Sequence, residues 1–460
     1  MKRIGILTAG GDTPALNATI MGAVQQANRY RVEVVGIIKG FSGLLNPQVP
    51  HVHLNPLYHE IPELDSTHGG TILGASRDYV DSNDTETIER VAHRLLRLKI
   101  EGLICIGGDG TINGMQPLSN HLPVVLAPKT IDNDLGLNYL DESNEWFREP
   151  TPSSPKGYTY RKKPNRAFGL DEMISYITPG FATAVYVSSL AIERIRTTAE
   201  SHRRIAIVEV MGRDCGMIAL GTAYGQPDMI LVPESPVDPE PLVERVVSIL
   251  DIQKHAVICV SEGITDNSGQ ILGAVTTTKD PSGNLQYTGA AEAVKRLLVE
   301  KLGDAFFTRK RRNESADAAI FTRKVGHTQR GGRPILFDRF YASQLGGKAV
   351  ELLLQGYHNC VATLQCKDGG FSCDSIDANH LRDRWGTIHA RPLSTSFYDE
   401  KRFQPSHKGI EYLRSIFTNA LGVDDLESMR SLFHTGNIVH PYNSVNVHIN
   451  KRIHRLEDPE

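Results

Sequence analysis

The chain has 460 residues, 40% hydrophobic and 22% charged, a composition that excludes an intrinsically disordered chain and leaves room for two or three packed units. Its formal net charge is −3, so no overall basic field points to nucleic acid or anionic lipid, and any anion it binds must be held by a local site. Apolar stretches such as Leu122 to Pro128 and Ala256 to Val260 fall far short of the roughly 18 residues of a membrane helix. The start, Met1-Lys2-Arg3 with only four apolar residues before Thr8, lacks the apolar core of a secretory signal. Six cysteines without CxxC spacing and 17 histidines without HExxH argue for reduced thiols and against structural zinc. A soluble, cytoplasmic chain is expected.

Short β-branched runs follow one another along the chain: Ile4 to Leu7, Val32 to Ile38, Leu103 to Ile106, Val124 to Leu126, Ile205 to Val210, Met229 to Val232 and Ala256 to Val260. Helical patterns alternate with them, the signature of βαβ units and parallel sheets. After Asp84, a residue suited to an N-cap, Ile88, Val91, Ala92, Leu95 and Leu98 recur at three- and four-residue steps, predicting an amphipathic helix over one sheet face. Leu140 to Asn165, with its prolines, serines and basic run Arg161 to Lys163, breaks the rhythm, as does the polar stretch Arg309 to Asp317. Both read as surface insertions with solvated charge.

Five segments carry chemistry. Two are glycine-rich turns after predicted strands, Thr8 to Asn17 with Gly10 and Gly11, and Gly107-Gly108-Asp109-Gly110-Thr111. Glycine there lets backbone N–H groups approach phosphate oxygens, although either turn alone also reads as a tight strand-to-helix connection. Neither matches GxxxxGK[ST] or GxGxxG. The third, Pro128-Lys129-Thr130-Ile131-Asp132-Asn133-Asp134, sets two carboxylates two residues apart after a buried strand. An Asp so placed can deprotonate an attacking hydroxyl while Asp109 is available to hold magnesium on phosphates; helix capping is the alternative. The last two are Met211-Gly212-Arg213 and Gly326-His327-Thr328-Gln329-Arg330-Gly331-Gly332. Together with Arg77 they supply glycine-flanked arginines that suit a substrate with several phosphates.

In this order and combination the segments resemble the phosphofructokinase family over roughly residues 1 to 350. The resemblance implies an α/β fold of two lobes with mainly parallel sheets flanked by helices, with surface insertions and a C-terminal extension. It divides into a donor-binding lobe over 1–138 with later returning segments, an insertion over 139–172, and a sugar-phosphate lobe over 173–354 carrying an insertion near 264–317. Residues 355–460 form a returning segment and extension. The implied activity is the glycolytic transfer of a phosphoryl group from ATP, with Mg2+, to the 1-hydroxyl of fructose 6-phosphate. Asp132 would be the base, with Thr130 and Asp134 beside it and Arg213 on the transferred group. Gly11, Arg77, Gly108, Asp109, Gly110, Thr111 and Lys129 would surround the donor, Asp109 holding the metal. Met211, Gly212, Glu262, His327 and Arg330 would hold the sugar phosphate, and Arg204 would reach a neighbouring subunit's site, implying a homodimer or homotetramer.

Donor choice in the family follows two positions. Gly110 leaves room for ATP where pyrophosphate enzymes usually carry Asp, whereas Lys129 is similar to the residue those enzymes use; ATP is the expected donor, since added bulk and charge would exclude it and a Lys need not. Phe321 stands where a sugar-phosphate arginine is expected, and Arg323, two residues on and on the same strand face, is the expected substitute. The other readings are a pyrophosphate-dependent enzyme, a kinase of a related sugar phosphate, and a non-catalytic sugar-phosphate sensor. NAD and lipid kinases share GGDGT but explain neither TIDND nor GHTQRGG.

Overall fold

The apolar runs become strands of two sheets in the computed structural model, which describes residues 1–78, 80–151, 157–163, 166–275, 287–309, 315–422 and 445–456. The first sheet takes β1 (Arg3–Thr8), β2 (Glu33–Ile37), β3 (His51–His53), β4 (Leu103–Gly107) and β5 (Val124–Pro128). A hairpin of β6 (Trp146–Pro150) and β7 (Tyr158–Lys162) stands apart. The second sheet takes β8 (Ile205–Val210), β9 (Met229–Leu231) and β10 (Ala256–Ser261). A short pair, β11 (Ala274–Val275) and β12 (Tyr287–Thr288), precedes β13 (Ile320–Lys324) of the second sheet, and β14 (Cys360–Lys367) and β15 (Gly370–Asp377) return to the first.

The strand order is β15-β14-β5-β4-β1-β2-β3 in one sheet and β13-β8-β10-β9 in the other. All pairings are parallel except β2 with β3 and β14 with β15 at the two edges of the first sheet. Every residue of β4, β5, β8 and β10 is buried, as expected of parallel strands covered on both faces. One cover on the first sheet is the helix pair Leu16–Arg29 and Leu336–Leu354. A Cβ on Gly22 would lie 1.9 Å from Ser343 O, and one on Gly346 would lie 2.0 Å from Thr19 O. These two glycines therefore set how closely the helices cross. The helix expected after Asp84 spans Thr85–Arg97; Thr87 N–H donates to Asp84 Oδ1 at 3.0 Å, and Ile88, Val91 and Leu95 are buried. No described helix is long and apolar enough to cross a membrane.

The insertions and the extension are not peripheral everywhere. Lys162, within the basic run read as a solvated face, is almost buried and pairs with Glu142 at 2.8 Å and Glu145 at 3.1 Å. The helix Ala290–Arg309 buries Ala290, Val294, Leu298 and Phe307 in the core of the second sheet. Arg391 is the largest fully buried side chain of the chain's described part. Residues 152–156 and 164–165 of the first insertion, 276–286 and 310–314 of the second, and 423–444 and 457–460 of the extension lie outside the described residues.

Candidate active site

The carboxyl ends of β1, β4 and β5 lie side by side in the first sheet, and the end of β8 faces them from the second, the location where open α/β sheets bind ligands. After β1 the chain turns through Gly10 at φ 78°, and Gly10 N–H donates to Ser76 O at 2.8 Å, which brings Arg77 beside the turn. Lys129, at the end of β5, reaches under the same turn. Its ammonium donates to Ala9 O at 3.0 Å and to Gly11 O. Burial, aided by the Arg330 charge, pulls its pKa down to about 7 against Asp12 and Asp132. Gly110 faces open space: a Cβ there would meet nothing within 4 Å.

The loop after β5 is tightly held. Thr130 Oγ1 accepts from Asp132 N–H at 3.1 Å and donates to Asp134 Oδ1 at 3.0 Å. Asn133, at φ 55°, accepts from Thr178 N–H at 3.0 Å through Oδ1 and donates through Nδ2 to Tyr412 Oη at 2.7 Å. The Arg391 guanidinium donates twice to Asn133 O, at 3.2 and 2.7 Å, and once to Ser175 O, while its backbone N–H donates to Asp134 O at 2.6 Å. No helix begins at the loop, which removes the capping reading of Asp132 and Asp134. Asp132 is 4% exposed and its Oδ1 is buried without a partner. Burial first, and Asp134 second, raise its pKa to about 6 against the pull of Arg330, Arg213 and Lys129. Asp109 Oδ1 is likewise buried and unpartnered; burial and Asp134 hold its pKa well above the usual carboxylate value, opposed by Arg391 and Arg213.

From the second sheet, Gly212 at φ 142° and Arg213 at φ 52° turn the chain back after β8. Met211 N–H donates to Gln329 Oε1 at 3.0 Å and Arg213 N–H to Glu262 Oε1 at 3.3 Å. Burial, with Asp132 nearby, raises Glu262 to about 7. Arg330 follows the short turn Gly326–Gln329, and its Nη1 lies 3.1 Å from where a Cβ of Gly11 would be.

One cavity of about 1010 Å³ collects Gly11, Arg77, Gly108, Asp109, Gly110, Thr111, Lys129, Thr130, Asp132, Asp134, Arg213 and Arg330. Met211, Gly212 and Glu262 stand behind this wall and do not line it. His327 and Arg323 are exposed and do not line it either, Arg323 donating to Thr322 O at 3.2 Å. Arg204 precedes β8 and Arg213 follows it, so the two are separated by roughly 20 Å of extended strand. The motifs did not announce Asn113, Asp214, Tyr287, Arg382, Ile388 and Ala390, which also line the cavity. Tyr287 Oη donates to Asp214 Oδ1 at 2.9 Å.

The family model described as Phosphofructokinase matches residues 3–139 and 171–353. An ATP-dependent 6-phosphofructokinase 2 of Streptomyces coelicolor is 36% identical over 374 residues, covering 80% of this chain and 92% of that protein. ATP-dependent 6-phosphofructokinase 1 of Thermus thermophilus is 34% identical over 363 residues, covering 77% and 87%. Among solved structures, a pyrophosphate-dependent phosphofructokinase from Marinobacter aquaeolei shares the fold at TM-score 0.67 and 18% identity, covering 92% of each chain. Family model, sequence identity and the converging motifs agree: the chain belongs to the phosphofructokinase family.

Proposed function

We propose that the cavity transfers a phosphoryl group from ATP to the 1-hydroxyl of fructose 6-phosphate, giving fructose 1,6-bisphosphate in glycolysis. The observation that carries this reading is the buried, unpartnered carboxylate of Asp132 with a pKa near 6, enclosed with Arg213, Arg330 and Lys129 in one cavity. A carboxylate with a pKa near working pH accepts a proton from an attacking hydroxyl efficiently, and the surrounding cations offset negative charge on the transferred group. Thr130 and Asp134 keep the Asp132 backbone in place through the hydroxyl that links them. Lys129 is tethered to the first glycine turn, away from the open space over Gly110, so a nucleotide has a path that this lysine does not obstruct. Relatives named ATP-dependent support the same donor.

Magnesium fits the residues present. Asp109 and Asp132 each offer a buried unpartnered oxygen. One or two carboxylates plus donor phosphates and water are what this ion ordinarily takes, and once bound it supplies neutralising charge across those phosphates. Asp109 is the residue we assign to it. Arg330, which lines the cavity, is assigned to the sugar-phosphate end together with Met211, Gly212, Glu262, His327 and Arg323. The position of Arg204 supports service in a neighbouring subunit's site, in a homodimer or homotetramer working in the cytoplasm. The two lobes are taken as 1–138 with its returning strands and 173–354.

The deciding experiment is a coupled assay of the whole protein with ATP or pyrophosphate against fructose 6-phosphate and other ketose phosphates. Turnover is expected with ATP and fructose 6-phosphate. Turnover with pyrophosphate alone would overturn the donor, and turnover only with another ketose phosphate would overturn the acceptor.

A further inference from the structure

Two stretches fall outside the residues matched by the family model, those between 139 and 171 and those after 353, and they pack on each other, the second also lining the cavity. Arg382, Ile388 and Ala390 line it from the tail. Behind them stands the hairpin β6–β7. Trp146 stacks on His389 at 3.8 Å with 10° between the rings, Tyr160 Oη and Thr387 Oγ1 are 2.9 Å apart, and the Arg148 guanidinium lies 4.7 Å from the centre of the Trp385 ring. Asp383 closes the turn from within: it accepts from Trp385 N–H at 2.8 Å and Thr387 N–H at 2.9 Å, with His389 Nε2 at 2.8 Å from its other oxygen. The segment is therefore a braced strap with a fixed shape.

Arg382 is oriented by two of its three guanidinium nitrogens. Nη2 donates to Asn113 Oδ1 at 3.0 Å and Nη1 to Gly386 O at 2.7 Å. Its Nε is buried and meets no acceptor among the described residues. A buried N–H left open is costly, and an anionic ligand in the cavity would be drawn by the guanidinium charge, a small shift of the side chain bringing Nε within reach. Asn113 lies three residues after Gly110 on the helix Asp109–Met115, so the two residues share a helical face. Gly110, Asn113 and Arg382 line the same cavity, so a donor long enough to pass over Gly110 and continue would meet Asn113 and Arg382. A pyrophosphate has nothing left to extend that far.

We infer that Arg382, held by Asn113 and the strap, binds the α-phosphate of the nucleotide donor, so that the tail selects a nucleoside triphosphate over pyrophosphate. The inference rests on the reading of ATP as donor and adds to it the residue that recognises the nucleotide's length. The chain's two tryptophans, Trp146 and Trp385, both belong to this wall, so intrinsic fluorescence reports on ligands that reach it.

The test is a titration of the full-length protein with Mg·ADP and with Mg·pyrophosphate, followed by tryptophan fluorescence and calorimetry, for the parent, Arg382→Gln and Asn113→Ala. Losing a charge-assisted contact should weaken Mg·ADP about 10- to 100-fold in Arg382→Gln, and by less in Asn113→Ala, with Mg·pyrophosphate within about twofold of the parent. The KM for ATP should rise while kcat holds. If Arg382→Gln melts early, the exposed Asn113→Ala carries the same comparison. Parent-like Mg·ADP affinity in a folded variant overturns the role of Arg382 and leaves ATP as donor intact. A parent that binds Mg·pyrophosphate but not Mg·ADP overturns the donor reading itself and, with it, the role of the strap.

Discussion

Two of the walls of the cavity are made in different ways. One is built from strand ends: Lys129 to Asp134 follows β5, and Gly108 to Thr111 follows β4. The other comes from residues 382–391, which belong to no strand and carry no motif, yet donate to the backbone of the first wall through Arg391. A strand-end loop obtains its position from the sheet that delivers it. The strap obtains its position from aromatic stacking and from one buried guanidinium. On the proposed reading, the chemistry sits on the side delivered by the sheet, and the side held by stacking and the guanidinium supports it.

The sharpest way to test that division is to remove the chemistry and leave the support. Asp132→Asn should lower kcat by about 100- to 10,000-fold, the usual worth of a positioned general base, with sugar-phosphate binding largely kept. Near-parental turnover would remove Asp132 from the mechanism. Its pKa also sets a pH profile: the base must be ionised, and burial raises it to about 6. In the parent, kcat/KM should therefore climb as pH rises through about 6, roughly tenfold per unit on the acid side. Replacing Arg330, which pulls that pKa down, should move the limb to higher pH.

Removing the support is the complementary break. Arg391→Met leaves Asn133 O and Ser175 O without the donors they have now, at about 1–3 kcal/mol for each buried group left open. The denaturation midpoint should fall accordingly. Since the released loop carries Asp132, kcat should also fall, by up to about 100-fold, as expected when a reacting group shifts by an ångström. A lower midpoint with unchanged kcat would show that the tail stabilises the fold without positioning the loop.

The contrast between the walls also explains what was legible in the sequence. The strands at β1, β4, β5, β8 and β10 and the capped helix Thr85–Arg97 were readable because their signals are local: unbroken apolar runs, a three- and four-residue period, an Asp at the start. Lys129 to Asp134 was readable for the same reason. Arg391 was not. It sits in an ordinary His-Ala-Arg-Pro stretch, and its partner Asn133 is 258 residues away. Arg382 is 269 residues from Asn113. Lys162 looked solvated because the run beside it is basic, while its partners Glu142 and Glu145 arrive by the folding of the hairpin. Nor did spacing separate residues that line the cavity from those behind it. Met211 and Glu262 adjoin Arg213, but they spend their contacts on Gln329 and on the Arg213 backbone.

The far end of the tail should give the smallest effect. Residues after the helix Val445–Asn450 return to the edge strand β3: His51 N–H donates to His454 O at 3.0 Å, His454 N–H to His51 O at 2.9 Å, and Arg452 pairs with Glu63 at 2.8 Å. The rings of His51, His53 and His454 lie 5.5 to 6.0 Å apart. Burial holds the pKa of His51 and His53 below 6.5; neighbouring histidines and Arg3 push the same way, opposed at His51 by the hydrogen bond to Val49 O and at His53 by Glu33. A histidine depressed in the folded state binds fewer protons there than in the unfolded chain below its unfolded pKa. Stability is then retained above about 6.5 and drains as pH falls toward the folded values. Hydrogen exchange at 445–456 should quicken as pH drops from about 7 to about 5, after correction for its intrinsic pH dependence. The buried strands β4 and β5 should stay protected, and His53→Gln should flatten the response of the tail. An unchanged response in that variant would mean that the Arg452–Glu63 pair and the β3 backbone bonds govern the docking, and that the histidines merely line it.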